Sequence, residues 1–218
     1  MCFSAEASFI ASGALAVTGA YTVKKTLDKK KHSFLLAAAI PLLFSAQQLI
    51  EGFIWVFAGK DPKIDYTLSC LYLFFAFFLW PVWIPLTFAI YDKGKKKIYG
   101  FLAMIGFIYG SYVYILNLFY RSNFNLHMCE KNICYFKFDT PNSFSSIILI
   151  YFVCTILPFF ISRPPLLKLY GVIISITAMI STYFYVYAFY SVWCFFSAIC
   201  SIYIIYLVNH FNKIKIDY

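Results

Sequence analysis

The sequence predicts an all-α polytopic membrane bundle of seven transmembrane helices, and three observations predict it. The 218-residue chain is 62% hydrophobic and 22% aromatic but only 12% charged, about half the charge of a soluble domain. Its apolar residues fall into runs of roughly 20, the length that crosses a hydrocarbon core of about 30 Å. Its basic residues collect in the short segments between those runs, which is the distribution that orients a membrane protein. A water-soluble globule is excluded, and 26 Phe, 19 Tyr and 4 Trp exclude a disordered chain. A lipid bilayer is the expected partner and nucleic acid is not, because the lysines form no single solvated surface.

The spans follow in order. The first, 4–23, has Glu6 as the only charge before Lys24, so it reads as a retained helix and not as a secretory signal. The second, 33–58, lies between His32 and Lys60. The third, 66–91, contains Trp80-Pro81-Val82-Trp83-Ile84-Pro85, where two prolines four apart each remove a backbone hydrogen bond. That kink either shapes the bundle or bares carbonyls for a neighbour, a water or a ligand. The fourth, 98–120, follows a lysine cluster. The fifth is 144–162, and its Pro158, like Pro41 in the second, reads as helix shaping. The last two, 169–189 and 191–208, are divided only by a tight aromatic turn, because the run is too long for one span.

Loop charges orient the bundle. Lys24, Lys25, Lys29, Lys30 and Lys31 lie in the first connection, Lys93, Lys95, Lys96 and Lys97 in the third, Arg163 and Lys168 in the fifth, and Lys213 and Lys215 in the tail. The opposite side holds Lys60, Lys63, Arg121, Lys131 and Lys137. The bias places the N-terminus outside and the C-terminus in the cytoplasm, and seven spans require opposite ends. Residues 1–218 then form one transmembrane domain. The loop 121–142 is large enough for a hairpin around Glu130-Lys131-Asn132. On the outer face it meets an oxidising compartment, so a Cys129–Cys134 disulfide is expected, with two thiols as the alternative.

Ionisable groups inside a membrane are costly, about 2.5–3.5 kcal/mol each on insertion scales, and mark functional candidates. Glu51 lies well inside the second span, and Gln47 and Gln48 share its helix face. Either it binds a proton or a ligand, or glutamine amides and acid lock helices together. Glu6, in the first turn after Ser4, either joins that site or complements the helix dipole. Trp80, Trp83 and Trp193 are expected to wall it, although aromatics near span ends also form interfacial belts. Cys2 and Cys194 fall in the same leaflet as Glu51, where thiols suit a soft metal or a nucleophile. Cys70, Cys154 and Cys200 sit in apolar stretches and read as small hydrophobes.

Several absences narrow the chemistry. His32, His127 and His210 all fall in loops or the tail, which disfavours bis-histidine haem and zinc held by intramembrane histidines. No lysine stands in the seventh span to anchor retinal. No Pro-Gln dipeptide occurs, so any likeness to small sugar transporters is topological, and phosphate-binding loops are absent. The cofactor therefore stays unknown.

Met1-Cys2-Phe3-Ser4-Ala5, Gln48-Leu49-Ile50-Glu51-Gly52, Trp80-Pro81-Val82-Trp83 and Ser191-Val192-Trp193-Cys194-Phe195 together resemble a family of uncharacterised bacterial integral membrane proteins of similar length. The resemblance implies that Cys2, Ser4, Gln48, Glu51, Trp80, Pro81, Trp83, Trp193 and Cys194 belong to a shared pattern, and that the bacterial inner membrane is the location. Where members of that family carry a histidine, this chain has Gln47. Three functions are therefore expected in turn: binding or transport of a small solute or ion at Glu51, Gln47, Gln48 and Glu6; a thiol enzyme or metal site at Cys2 and Cys194; or a structural or sensor module.

Overall fold

The computed structural model describes residues 4–119, 127–129, 132–134, 149–185 and 188–213, and everything below concerns them. Ser4 opens helix α1 (Ala5–Asp28) by accepting the Ala7 amide on its hydroxyl at 3.2 Å, which satisfies one of the unpaired donors of the first turn. The face it buries is mostly small and polar, Ser8, Ser12, Thr18, Gly19, Thr22 and Thr26, with Leu15 as its one large apolar residue. This seam lies along α2 (His32–Phe57). Small residues let two helices approach closely in lipid. At the contact Ser12 Oγ donates to the Ser45 carbonyl at 2.9 Å and Ser45 Oγ returns a bond to the Ser12 carbonyl at 2.8 Å. Thr22 Oγ1 donates to the Ala38 carbonyl at 2.7 Å.

Helix α3 (Pro62–Tyr91) begins four residues before the expected 66. Asp61 is the reason: its carboxylate accepts the amides of Lys63 at 2.8 Å and Ile64 at 3.3 Å, and proline suits the first helical position because it needs no amide partner. Polar residues therefore extend the helix beyond its apolar run. Phe74–Leu79 is wound as π-helix, one residue short of Pro81. Helix α4 (Lys96–Phe119) packs along the second half of α3.

Strands β1 (His127–Cys129) and β2 (Asn132–Cys134) pair antiparallel. The expected Cys129–Cys134 bond falls on side chains outside the described residues. The strand register sets Cys129 across from Asn132 and Cys134 across from His127, so the backbone does not place the two cysteines directly opposite each other. The described cysteines Cys70, Cys154, Cys194 and Cys200 are free thiols.

Helix α5 comprises residues 149–155 and a continuation at Leu157–Ile161. Helix α6 (Pro165–Phe184) and α7 (Phe189–Phe211) complete the bundle. The sixth helix starts before the expected 169 because Pro164 and Pro165 stop the preceding segment and Pro165 opens the next. It ends at Phe184, so the break between the last two helices precedes the expected one at 190.

Among the described residues five helices are long and apolar enough to cross a membrane: α2, α3, the Lys93–Leu116 stretch containing most of α4, α6 and α7. Helix α1 has the length, 24 residues, but spends its inner face on hydroxyls. The exterior is apolar, with Ile10 and Val17 each 73% exposed, while Gln47, Gln48 and Glu51 are fully buried. A soluble protein distributes these groups the other way round. The first half of α7, Phe189–Cys200, runs through the middle of the bundle against α1, α2 and α6, and nearly all of it is buried.

Candidate functional site

The site grows from one face of α2. Gln47 and Gln48 precede Glu51 by four and three positions, so helical geometry turns all three toward the same neighbours. Gln48 Nε2 donates to Glu51 Oε2 at 3.0 Å. Across the interface Ser191 Oγ of α7 donates to the other carboxyl oxygen, Glu51 Oε1, at 2.5 Å. Gln47 faces α3, where its Oε1 accepts the Trp80 indole N–H at 2.8 Å. Trp80 is itself stacked on Phe44, with ring centroids 4.0 Å apart, so one aromatic pair forms the floor beneath the amides.

Cys194 follows Ser191 by three residues, on the same face of α7. Its buried thiol lies against the Gln47 amide, Tyr72 and Glu51. Tyr72 reaches α7 as well, donating to the Tyr190 carbonyl at 3.5 Å. Gly52 permits the approach of α1: a Cβ there would stand 2.5 Å from the Phe9 ring. The next residue back, Ser8, is fully buried.

Three buried polar atoms lack a geometric hydrogen bond among the described residues: Gln47 Nε2, on the amide that meets the Cys194 thiol, Gln48 Oε1, and Ser8 Oγ on α1. One is a donor, one an acceptor and one can be either. Below the Trp80–Phe44 floor is a cavity of about 40 Å³. Its lining includes Tyr151, Thr155, Trp193, Cys194 and Ser197 among apolar residues, and it has space for about two or three waters.

The structure brings together Glu51, Gln47, Gln48, Trp80 and Cys194. It does not bring in Glu6, whose side chain is exposed on α1. A first-turn acid gains from the helix dipole while staying in solvent, and that is the position it takes. Trp83 is also elsewhere, its indole N–H given to the Leu36 carbonyl at 3.1 Å. Trp193 is next to Cys194 in sequence but turns to α6, donating to the Ile174 carbonyl at 3.3 Å. It lines the cavity below the floor and not the carboxyl layer. Cys2 and the expected thiol pair it would form with Cys194 lie outside the described residues. Among the described residues no three His, Cys, Asp or Glu groups gather as metal ligands.

Sequence reasoning missed Ser191, Tyr72 and Ser8 as site residues. The signal for Ser191 was its spacing of three from Cys194, which puts both on one helix face. Tyr72 and Ser8 carry no such mark, since tyrosine and serine are common in these helices.

Two comparisons find nothing: no curated protein and no solved structure matches the chain. A family model described as a family of unknown function (DUF6629) matches residues 1–216.

Proposed function

The chain belongs to this family, DUF6629, and because the family's description names no activity, we propose from the buried carboxyl layer that the protein binds or transports a small polar solute or ion, with Glu51 as its proton-linked group. The observation that carries this reading is the fully buried Glu51 carboxyl with the unpartnered Gln48 Oε1 beside it. A buried polar atom left unpaired costs about 1–3 kcal/mol. Helix locking alone would consume both ends of each amide. A small ligand that donates to Gln48 Oε1 accounts for the atom that helix locking leaves over.

The setting we infer is a seven-span bundle in the cell membrane, with a bacterial inner membrane as the best fit, the N-terminus outside and the C-terminus cytoplasmic. Contacts among basic segments support the orientation. Lys25 Nζ donates to Asn209 Oδ1 at 2.5 Å, Lys31 Nζ to the Phe211 carbonyl, and Lys95 Nζ to the Ile161 carbonyl at 2.6 Å. Lysines of the first and third connections are thus tied to the ends of α7 and α5, on the side that faces the cytoplasm under the positive-inside bias.

The test uses purified protein in liposomes with a trapped pH dye, challenged with gradients of sodium, potassium, ammonium and a small neutral amide. Wild-type protein is expected to couple one of these to proton movement, and Glu51→Gln to abolish the coupling. Unchanged coupling in Glu51→Gln overturns the proposal. Cys194→Ser separates the thiol or metal alternative: the response survives in this variant if the carboxyl is the working group.

A further inference from the structure

The cavity below the Trp80–Phe44 floor is not isolated. Ile40, Ile84, Phe159 and Tyr170 belong to its wall and also to the wall of a second cavity of about 20 Å³. The second cavity takes its other walls from residues nearer the lysine-bearing helix ends. They include Phe34 before Ile40 on α2, Tyr91 after Ile84 on α3, Leu167 before Ile174 on α6 and Leu207 after Ser197 on α7. The two spaces are therefore stacked along the bundle, with the four shared side chains as the constriction between them. Toward Glu51 the line stops at Cys194, whose thiol is both part of the first cavity's wall and a neighbour of Gln47, Tyr72 and Glu51. At the lysine-bearing end it stops at three rings. Phe34 packs on Tyr91 and Phe211 with centroids 5.6 and 5.4 Å away, and Tyr91 lies 6.0 Å from Phe211.

Among the described residues no charged side chain lines either cavity. Thr155 and Thr87 give their hydroxyls to the Tyr151 and Trp83 carbonyls of their own helices, at 2.7 and 2.8 Å. In the first cavity Ser197, Tyr151 and Tyr170 are then the wall residues with a hydroxyl to offer. An ion placed here would exchange its hydration shell for rings and a few neutral hydroxyls, a far greater loss than an uncharged solute of the same size suffers. Apolar and aromatic walls with a few polar groups are instead the lining of small-molecule sites. Size narrows the class further. The 40 Å³ of the first cavity holds about three heavy atoms, at about 10–15 Å³ for each water-sized unit. We propose that the two cavities form a binding chamber for an uncharged solute of about three heavy atoms, of the small amide or alcohol class, entered from the lysine-bearing end past Phe34, Tyr91 and Phe211.

This inference rests on the reading of the bundle as a solute-binding protein and narrows its cargo, because it sets ions aside. The solute binds uncharged, and Glu51 holds the proton on the far side of Cys194. The three closing rings come from the start of α2, the end of α3 and the end of α7, so a small shift of any one of these helix ends parts them. Lys31 Nζ, which donates to the Phe211 carbonyl, ties the end of α7 to the first connection and holds the rings together.

Cys194 reports on the chamber because its thiol belongs to the wall, whereas Cys200 is a half-buried thiol outside it. The full-length protein is treated with uncharged methyl methanethiosulfonate, and modified cysteines are located by peptide mass. Formamide, with three heavy atoms, is expected to slow modification of Cys194 saturably, about threefold at twice its Kd, and to leave Cys200 unchanged. Sodium formate and ammonium chloride are expected to protect neither. Absence of saturable protection by formamide overturns the chamber, and equal protection by formate or ammonium overturns the uncharged class. Phe211→Leu and Phe34→Leu, which thin the closing rings, are each expected to speed modification of Cys194 about tenfold, because a thiol shut off from solvent is inert. Phe9→Leu, against Gly52 beside the Glu51 layer, is expected to have no such effect. Acceleration absent from both ring variants, or present in Phe9→Leu alone, overturns the route. Formamide protection combined with intact proton coupling in Glu51→Gln would leave the chamber standing and remove the function proposed for Glu51, and coupling lost in Glu51→Gln without protection would do the reverse.

Discussion

At the scale of single residues, the Glu51 carboxyl is held by two bonds of different origin. The one from Gln48 is local, three positions apart on one helix, and survives whatever α7 does. The one from Ser191 joins segments 140 positions apart. Ser191→Ala is therefore expected to lower stability in detergent by about 1–2 kcal/mol, near the upper end for hydrogen bonds between membrane helices. Ser191→Thr, which keeps the hydroxyl, is expected to recover most of it. Thermal unfolding of the three proteins checks both. The glutamate and the glutamines were legible as a candidate site in the sequence because costly groups in an apolar run identify themselves. Glu6 was equally costly on paper, but a first-turn acid can meet solvent, and only the fold shows that it does.

At the scale of elements, the double proline of α3 is answered by α4. Pro81 cannot donate to the Phe77 carbonyl, nor Pro85 to the Pro81 carbonyl. Gly106 and Gly110, four apart on α4, lie against those same two carbonyls. A Cβ on Gly110 would stand 2.8 Å from the Phe77 oxygen, and one on Gly106 would overlap the Pro81 oxygen. Glycine Cα–H groups and close backbone contact thus occupy the positions that the prolines open. Gly106→Ala is expected to destabilise the protein by about 1–3 kcal/mol, because the obstacle is rigid backbone. Gly13→Ala, with open space around it, is expected to leave the melting temperature unchanged or raise it. The kink was readable from Trp80-Pro81 and Pro85; its partner was not, because a pair of glycines in an aromatic helix says nothing about which helix it faces. The π-helical stretch Phe74–Leu79 was likewise hidden. It shifts the register of the outer half of α3 relative to Trp80, and so helps decide that Tyr72 and Ser69 face inward.

At the scale of the whole molecule, charge is segregated by end. Lys24, Lys25, Lys29, Lys30, Lys31, Lys93, Lys95, Lys96, Lys97, Arg163 and Lys168 face only Asp28 and Asp92 within the same described connections. A C-terminal fluorescent-protein fusion is expected to fluoresce and a phosphatase fusion to be inactive. Replacing Lys29, Lys30, Lys31, Lys95, Lys96 and Lys97 with glutamine is expected to produce a mixed population, detected as new phosphatase activity. An unaltered single orientation would show that the lysines do not set it. The sequence by itself determined that the chain is a helical membrane-type bundle, roughly where its helices run, and that Glu51 with its glutamines is the group that needs explaining. Those conclusions follow from composition and from local spacing, which act within a helix. Only the tertiary structure decided that Ser191, Cys194 and Tyr72 complete the layer, that Glu6, Trp83 and Trp193 stand apart from it, and that Trp80 closes it from below. Each of those is a contact between distant segments, fixed by how helices rotate and pack against one another, and helix periodicity alone does not specify which neighbour a face meets.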